Sequence, residues 1–209
     1  MKDFIVLDLE TQRSARDVGG WGNIAEMKVS VAVLWDSHRG QFSVYYEDRV
    51  MELIARLKSA PLVVGFNHIG FDYAVLAGYF AFGFERENAI RELRALPNLD
   101  LLADIKRILG KRLKLDSIVR ATLGKSKSAD GMLALQWYQD YINGEREKLQ
   151  MIVDYCTVDV AVTRDLYLYG REHGEIRYID KILGLRKIQV DWREGDKFRK
   201  KAAPVQLSF

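Results

Sequence analysis

The sequence has few of the features that indicate a secreted, membrane or thiol-dependent protein. Its 209 residues include one cysteine, Cys156, which excludes an intramolecular disulfide framework and a metal site built from several thiolates. It has no secretory signal and no run of about 20 apolar residues, the length that a membrane-spanning helix needs. A cytoplasmic protein is therefore expected.

Motifs for nucleotide binding are also missing. Residues 12–25 contain Gly19, Gly20 and Gly22, but neither G-x-G-x-x-G nor G-K-[ST] follows, so this segment is predicted to be a loop. His68 has no partner histidine at metal-binding spacing and is expected in a loop or in the core. A net charge of +3 is too small to indicate nucleic acid by itself, so the distribution of the basic residues matters more.

The apolar periodicity predicts one α/β domain, since 48% hydrophobic and 29% charged residues suffice for a well-buried core. An antiparallel meander of three strands is followed by a strand, helix, strand crossover. The predicted strands cover residues 4–11, 29–35, 41–46, 62–66 and 98–102. The predicted helices cover residues 47–59, 73–80, 103–109, 116–123 and 145–169.

Two acids lie within the first predicted strand. The run from Phe4 to Leu7 is apolar, and Asp8 and Glu10 follow it at positions i and i+2. The period of two puts both carboxylates on one face, where a divalent cation would compensate the charge of acids near a buried strand. A strand that simply runs out into a polar loop is the other interpretation.

A third acid, Asp72, follows the strand at residues 62–66 and precedes a helical pattern. It is predicted either to bind metal or to stand at the N-cap or in the first turn of the helix, because aspartate is favoured at helix N-termini. Asn67, earlier in the same loop, is predicted to hydrogen-bond the loop or to line a substrate groove.

The long helix predicted at residues 145–169 carries Tyr155 and Asp159 one turn apart, on the same face. Such pairs also occur by chance in many helices. Cys156 is predicted to be a small buried residue.

The densest basic region lies between residues 106 and 127. It is predicted to be either a solvated helix face or a surface that follows a phosphate backbone. Its basic residues are Lys106, Arg107, Lys111, Arg112, Lys114, Arg120, Lys125 and Lys127, against Asp116 within the region and Asp104 just before it.

Three short motifs follow one another along the chain: D-x-E, N-x-x-x-F-D and Y-x-x-x-D. In this order they resemble the motifs of the DEDD exonucleases, in the branch that has tyrosine in the third motif. The resemblance implies a ribonuclease H-like fold, a mixed five-stranded sheet with helices on both faces. It also implies that two Mg²⁺ or Mn²⁺ ions are bound by Asp8, Glu10, Asp72 and Asp159, and that Tyr155 positions the attacking water. Four carboxylates suit these hard cations.

The function implied is a 3′-to-5′ exonuclease acting on single-stranded nucleic acid, with DNA favoured over RNA. The predicted substrate contacts are Thr11, Asn67, Phe71, Lys111, Arg112 and Lys114, with Trp21 as a further stacking candidate. Two alternatives are a structure-selective nuclease of the same fold and a catalytically silent domain that binds nucleic acid.

The motifs place the exonuclease domain at residues 1–173 and leave 174–209 as an extension, with added strands predicted at 176–178 and 187–190. Its basic tail ends in Gln206, Leu207, Ser208 and Phe209. These residues resemble a shortened form of the peptides by which bacterial replication and repair proteins dock onto the sliding clamp. Docking would use Leu207 and Phe209 as anchors and Gln206 to set register. The other interpretation is a tail that folds back onto its own domain or simply ends there.

Overall fold

A mixed five-stranded sheet forms the centre of the protein. The structure is a computed structural model, and it describes residues 3–125, 131–180 and 182–193. The strand order is β3-β2-β1-β4-β5, in which β1, β2 and β3 are antiparallel and β4 and β5 run parallel to β1. The strands are β1 (Ile5–Thr11), β2 (Val29–Asp36), β3 (Gln41–Tyr45), β4 (Val63–Gly65) and β5 (Asn98–Asp100).

Helices cover both faces of this sheet. They are α1 (Val50–Lys58), α2 (Asp72–Ala77), α3 (Phe84–Ala95), α4 (Leu101–Leu109), α5 (Leu115–Leu123), α6 (Gly131–Ile142) and α7 (Glu147–His173). Two 3₁₀ helices lie at Trp21–Glu26 and Glu47–Arg49. None of the helices in the described ranges has the length and apolar character that a membrane-spanning segment requires.

The two cores follow from the alternation of side chains along β1, the middle strand. Phe4 and Val6 face one core, which also contains residues of α4, α5 and α7. Ile5 and Leu7 face the other, which contains residues of α1 and α2. Burial on both faces explains why β1 is almost continuously apolar until Asp8.

Each strand and helix predicted for the central domain overlaps an element of the structure. Two helices were not predicted, α3 and α6, and the predicted loop at residues 12–25 includes most of the 3₁₀ helix Trp21–Glu26. The meander of three antiparallel strands is confirmed.

Two further strands, β6 (Glu175–Asp180) and β7 (Gly184–Gln189), form an antiparallel pair where added strands were expected. The division of the chain at residue 173 stays a prediction. Lys127 and the predicted clamp-docking residues Gln206, Leu207 and Phe209 lie outside the described residues.

Candidate metal centre and substrate cavity

Strand β1 carries Asp8 and Glu10 along the middle of the sheet, opposite Val33 and Val31 of β2. The strand places both acids on the face that α7 covers, as the period of two predicted. The Cys156 thiol of α7 lies 3.4 Å from the carbonyl oxygen of Asp8 and 3.7 Å from its carboxylate. Burial raises the pKa of this thiol, and the nearby acids raise it further, so Cys156 is a neutral packing residue.

Helix α7 brings the third carboxylate of the group, that of Asp159. One carboxylate oxygen each from Asp8, Glu10 and Asp159 lie within 4.8 Å of one another. Asp159 is buried, and the other two are partly exposed. Three converging carboxylates repel one another in the absence of a cation, and an all-oxygen donor set is the kind that Mg²⁺ and Mn²⁺ prefer. These residues therefore fit a divalent metal.

Tyr155 lies one turn before Asp159 and is also buried, with 8% of its surface exposed. Its ring packs edge-on against Trp137 of α6, at 6.2 Å between ring centres. The spacing of four residues along α7 puts the tyrosine on the same side of the helix as Asp159, and Trp137 packs against its ring there. Trp137 was not predicted to contribute to the site.

Asp72 does not belong to the group of three carboxylates. It is the first residue of α2, so it lies in the first turn of the helix, which is one of its two predicted placements, while the N-cap position is Phe71. Burial raises the pKa of Asp72 to about 8, and the nearby charge of Asp100 raises it as well, although amide hydrogen bonds from Asp72 itself and Leu9 oppose the shift. Its carboxylate therefore lies against β1 at the residue between the two acids of the first motif.

One oxygen of this buried carboxylate, Oδ1 of Asp72, has no hydrogen-bond partner among the described residues. Leaving a buried polar atom without a partner is costly. A divalent cation would satisfy it, so the donor chemistry of Asp72 also fits a metal ligand.

Buried polar residues of β5 hydrogen-bond the loop that precedes Asp72. The backbone amides of Asn67 and Ile69 donate to the carboxylate of Asp100, at 2.9 and 3.1 Å. His68 is fully buried, as predicted for a core histidine, and its Nε2 lies 3.3 Å from Oδ1 of Asn98. Burial lowers the pKa of His68, which favours the neutral ring.

The same loop forms part of a cavity of about 560 Å³ that brings together several of the predicted substrate contacts. Its walls are formed by Trp21, Ile24, Asn67, Gly70, Phe71 and Arg112. Trp21 is 70% exposed, and its ring meets that of Phe71 edge-on, at 6.4 Å between centres. Two aromatic rings and a guanidinium suit a nucleobase and a phosphate.

The other predicted contacts do not line this cavity. The ammonium of Lys111 lies 2.7 Å from the carboxylate of Asp180 in β6, which raises the pKa of the lysine. Lys114 is the residue that precedes α5. The hydroxyl of Thr11, which is buried, donates to the carbonyl oxygen of Arg13.

The basic region also carries less unpaired positive charge than the count of its basic residues indicated. Arg107 pairs with Asp104, just before the region, and Arg120 pairs with Asp116 within it. The fold adds acids from distant segments, because Asp165 pairs with Lys125 just as Asp180 pairs with Lys111. A count along the chain does not show these pairs, and it overstates the positive charge that is open to a substrate.

A second cavity, of about 500 Å³, lies beyond the end of β1. It is lined by Gln12, Ser30, Tyr46, Glu47, Asp48, Tyr138, Tyr141 and Leu149. The carboxylates of Glu47 and Asp48 in its walls repel phosphate groups. A nucleic-acid backbone is therefore better accommodated by the cavity that contains Arg112.

Comparisons with known proteins agree with this geometry. The sequence model of the family described as the RNase_H superfamily matches residues 7–169, a range that contains all three motifs. No curated protein sequence matches the chain. The predicted ribonuclease H-like fold is confirmed by the family match and by the mixed five-stranded sheet.

Among solved structures, the chain is similar to the family B DNA polymerase from the hyperthermophilic archaeon Pyrobaculum calidifontis, with a TM-score of 0.57 and 18% identity. The similarity covers 82% of this chain and 25% of the polymerase. The chain thus spans about a quarter of the length of the polymerase, and at this identity the likeness concerns the fold.

Proposed function

We propose that this chain, which belongs to the RNase H superfamily, is a metal-dependent nuclease that removes nucleotides from the 3′ end of single-stranded nucleic acid, DNA in preference to RNA. The observation that carries the proposal is the meeting of Asp8, Glu10 and Asp159 within 4.8 Å, although Asp159 is far from the other two in the sequence. The order of the motifs, which resembles that of the DEDD exonucleases, supports the 3′-to-5′ direction.

Hydrolysis of a phosphodiester adds a water oxygen to phosphorus and breaks the bond from phosphorus to the 3′ oxygen, which leaves and takes up a proton. Asp8, Glu10 and Asp159, with Asp72 beside β1, are the residues that would hold two divalent ions. When bound, such ions lower the pKa of a water molecule and neutralise charge on the phosphoryl and leaving oxygens.

The remaining residues orient the reactants. The phenol of Tyr155 is a poor base, since its ordinary pKa is about 10, but it is well suited to orient the attacking water through a hydrogen bond. Trp21 and Phe71 would stack against an unpaired base, and Arg112 would contact a phosphate next to it. Stacking of this kind needs an unstacked strand, which is the reason to propose a single-stranded substrate.

Two alternatives use the same fold. A structure-selective nuclease would cut at branches, and a silent domain would bind nucleic acid without cutting it. Against the silent domain, the three carboxylates of Asp8, Glu10 and Asp159 repel a phosphate backbone unless metal is present, so they reduce affinity in a domain that only binds.

The test uses 5′-labelled single strands of DNA and RNA, with Mg²⁺, with Mn²⁺ and with EDTA. We expect a ladder of products shortened from the 3′ end, release of nucleoside 5′-monophosphates and no products in EDTA. The double variant Asp8→Asn/Asp159→Asn is the control for a contaminating nuclease. Cleavage confined to branched duplexes would favour the structure-selective enzyme, and binding without cleavage in either metal would favour the silent domain.

A further inference from the structure

Asp100 is a buried aspartate that the three motifs do not include. It is the last residue of β5 and the N-cap of α4, where its Oδ1 accepts a hydrogen bond from the amide of Ala103 at 3.1 Å. Its surface is only 6% exposed. A cap alone requires one hydrogen bond from the side chain.

The carboxylate makes two more hydrogen bonds, and both hold the loop that leads to Asp72. Oδ1 also accepts from the amide of Asn67, and Oδ2 accepts from the amide of Ile69. Hydrogen bonds to an ionised carboxylate are stronger than those between neutral groups. Asp100 therefore fixes two backbone positions within three residues of the loop.

The backbone of this loop needs such support. Asn67 has a φ of 74°, in the left-handed region that L-residues rarely adopt. The chain then turns tightly, because the amides of Gly70 and Phe71 both donate to the carbonyl oxygen of Asn67. Asp72 follows at once as the first residue of α2, so a shift at Asn67 would be transmitted to the Asp72 carboxylate.

We propose that Asp100 is a positioning residue that, through the amides of Asn67 and Ile69, holds Asp72 against β1 in the place where it binds metal. This rests on the proposed function, because it assigns Asp72 a role in the metal centre. If Asp100 acted only as the cap of α4, its loss would affect stability and leave the metal centre unchanged.

Two variants separate these roles. Asp100→Asn keeps one acceptor oxygen but turns an N–H group towards the amide of Ile69. Asp100→Ser keeps a side chain that caps helices well, but its hydroxyl is too short to hold both loop amides. The control is Asp36→Asn, because Asp36 is also buried and also accepts two backbone amides, those of His38 and Arg39.

Asp36 lies opposite Ile5, three residues before Asp8, the nearer acid of the metal centre, along β1, which is roughly 10 Å in a strand. Its replacement should destabilise the fold without altering the metal centre.

The experiment measures Mn²⁺ affinity by calorimetry, amide hydrogen exchange of the loop, and kcat and KM on single-stranded DNA. We expect both Asp100 variants to bind Mn²⁺ about 10- to 100-fold more weakly, with a similar fall in kcat and little change in KM. Exchange should become faster at Asn67 and Ile69, and Asp36→Asn should keep the parent Mn²⁺ affinity.

Asp100 variants that bind Mn²⁺ and turn over like the parent would overturn the proposal while the proposed function stands. An equal loss of Mn²⁺ affinity in Asp36→Asn would also overturn it, since general destabilisation would then explain the effect. A parent chain that neither binds Mn²⁺ nor cleaves DNA would overturn the proposed function, and the role of Asp100 with it.

Discussion

At the scale of single residues, the charge of Asp8 and Asp159 is what the proposed chemistry needs. We predict that Asp8→Asn or Asp159→Asn lowers nuclease activity on the order of 100-fold or more, because each removes a negative charge that contributes several kcal/mol through the metal. Both changes keep the shape of the side chain, so thermal unfolding should show a folded protein. Activity equal to that of the parent in both variants would rule out the metal centre described here.

Tyr155 should contribute less than the acids. Tyr155→Phe removes one orienting hydroxyl and no metal ligand, so we expect a loss of about threefold to tenfold, the equivalent of one hydrogen bond. Packing against Trp137 should be kept, because the ring remains. The measurement is single-turnover cleavage at saturating Mg²⁺. A loss as large as that in Asp159→Asn would show that the hydroxyl does more than orient water.

Asp36 allows a prediction about pH that is independent of the site. Burial alone would raise its pKa, but hydrogen bonds from Arg56, Arg39 and His38 outweigh it and hold the pKa of Asp36 below its ordinary value of 3.8. Because the pKa is lower in the folded state, this contribution to stability is present above pH 3.8 and is lost as the pH falls through the folded pKa.

Asp36→Asn should therefore destabilise the protein by about 2 kcal/mol at pH 7, the usual contribution of hydrogen bonds to a charged group. The difference between variant and parent should shrink as the pH falls below about 4, in urea unfolding measured across this range. A difference independent of pH would show that the ionised carboxylate is not the stabilising species.

At the scale of elements, short-range patterns were enough to predict the motif-bearing segments. The alternation along β1 and the one-turn spacing of Tyr155 and Asp159 are properties of the local chain, so they can be recognised without a structure. Helix α3 was missed because it buries only Ala89 and Leu93, one turn apart, and carries charged residues elsewhere. Such a short apolar stripe gives a weak helical signal.

Asp100 was missed for a different reason. Its partners, the amides of Asn67 and Ile69, come from a loop more than 30 residues earlier in the sequence. A residue that acts through backbone amides leaves no pattern of side-chain types, because any residue supplies an N–H. Contacts of this kind become visible only when β4 and β5 are placed side by side.

In the segment before α5, the neighbouring residues Lys111 and Arg112 are predicted to contribute differently to the binding of nucleic acid. Arg112 lines the aromatic cavity, and Lys111 is paired with Asp180. Arg112→Ala should weaken binding of single-stranded DNA and flatten the salt dependence by roughly 0.7, the slope for one phosphate contact. Lys111→Ala should change the slope much less, because the ammonium is already neutralised by its acid.

The binding should be measured by fluorescence anisotropy at several salt concentrations, in the Asp8→Asn/Asp159→Asn background, which prevents cleavage without leaving the acids uncompensated. Equal changes of slope in the two variants would indicate a diffuse basic surface, as the count along the sequence suggested. No change in Arg112→Ala would remove this cavity as the phosphate site.

At the scale of the whole molecule, the C-terminal strands pack onto the helix that carries Tyr155 and Asp159. Ile176 and Ile188 lie in the same core as residues of α7. Trp192 is fully buried there, and its Nε1 donates to Asp104 of α4 at 2.8 Å. The three motifs end at Asp159, so they did not predict that residues after 173 support α7.

Gly170 of α7 is the position where this packing is tightest. A Cβ added there would lie 2.3 Å from Cε3 of the Trp192 ring, well inside any permitted contact. Gly170→Ala would normally stabilise a helix interior by about 0.5 to 1 kcal/mol. Here we predict a loss of about 1 to 3 kcal/mol, the cost of overpacking a core.

The sign of the effect should reverse when the ring is absent. In a Trp192→Ala background, itself destabilised by about 3 to 5 kcal/mol, the added methyl group meets no ring, and Gly170→Ala should raise the free energy of unfolding. Urea unfolding of the parent, the two single variants and the double variant gives the coupling between the sites. If Gly170→Ala had the same effect in both backgrounds, the two residues would be independent, and the ring of Trp192 would not be what limits the space at Gly170.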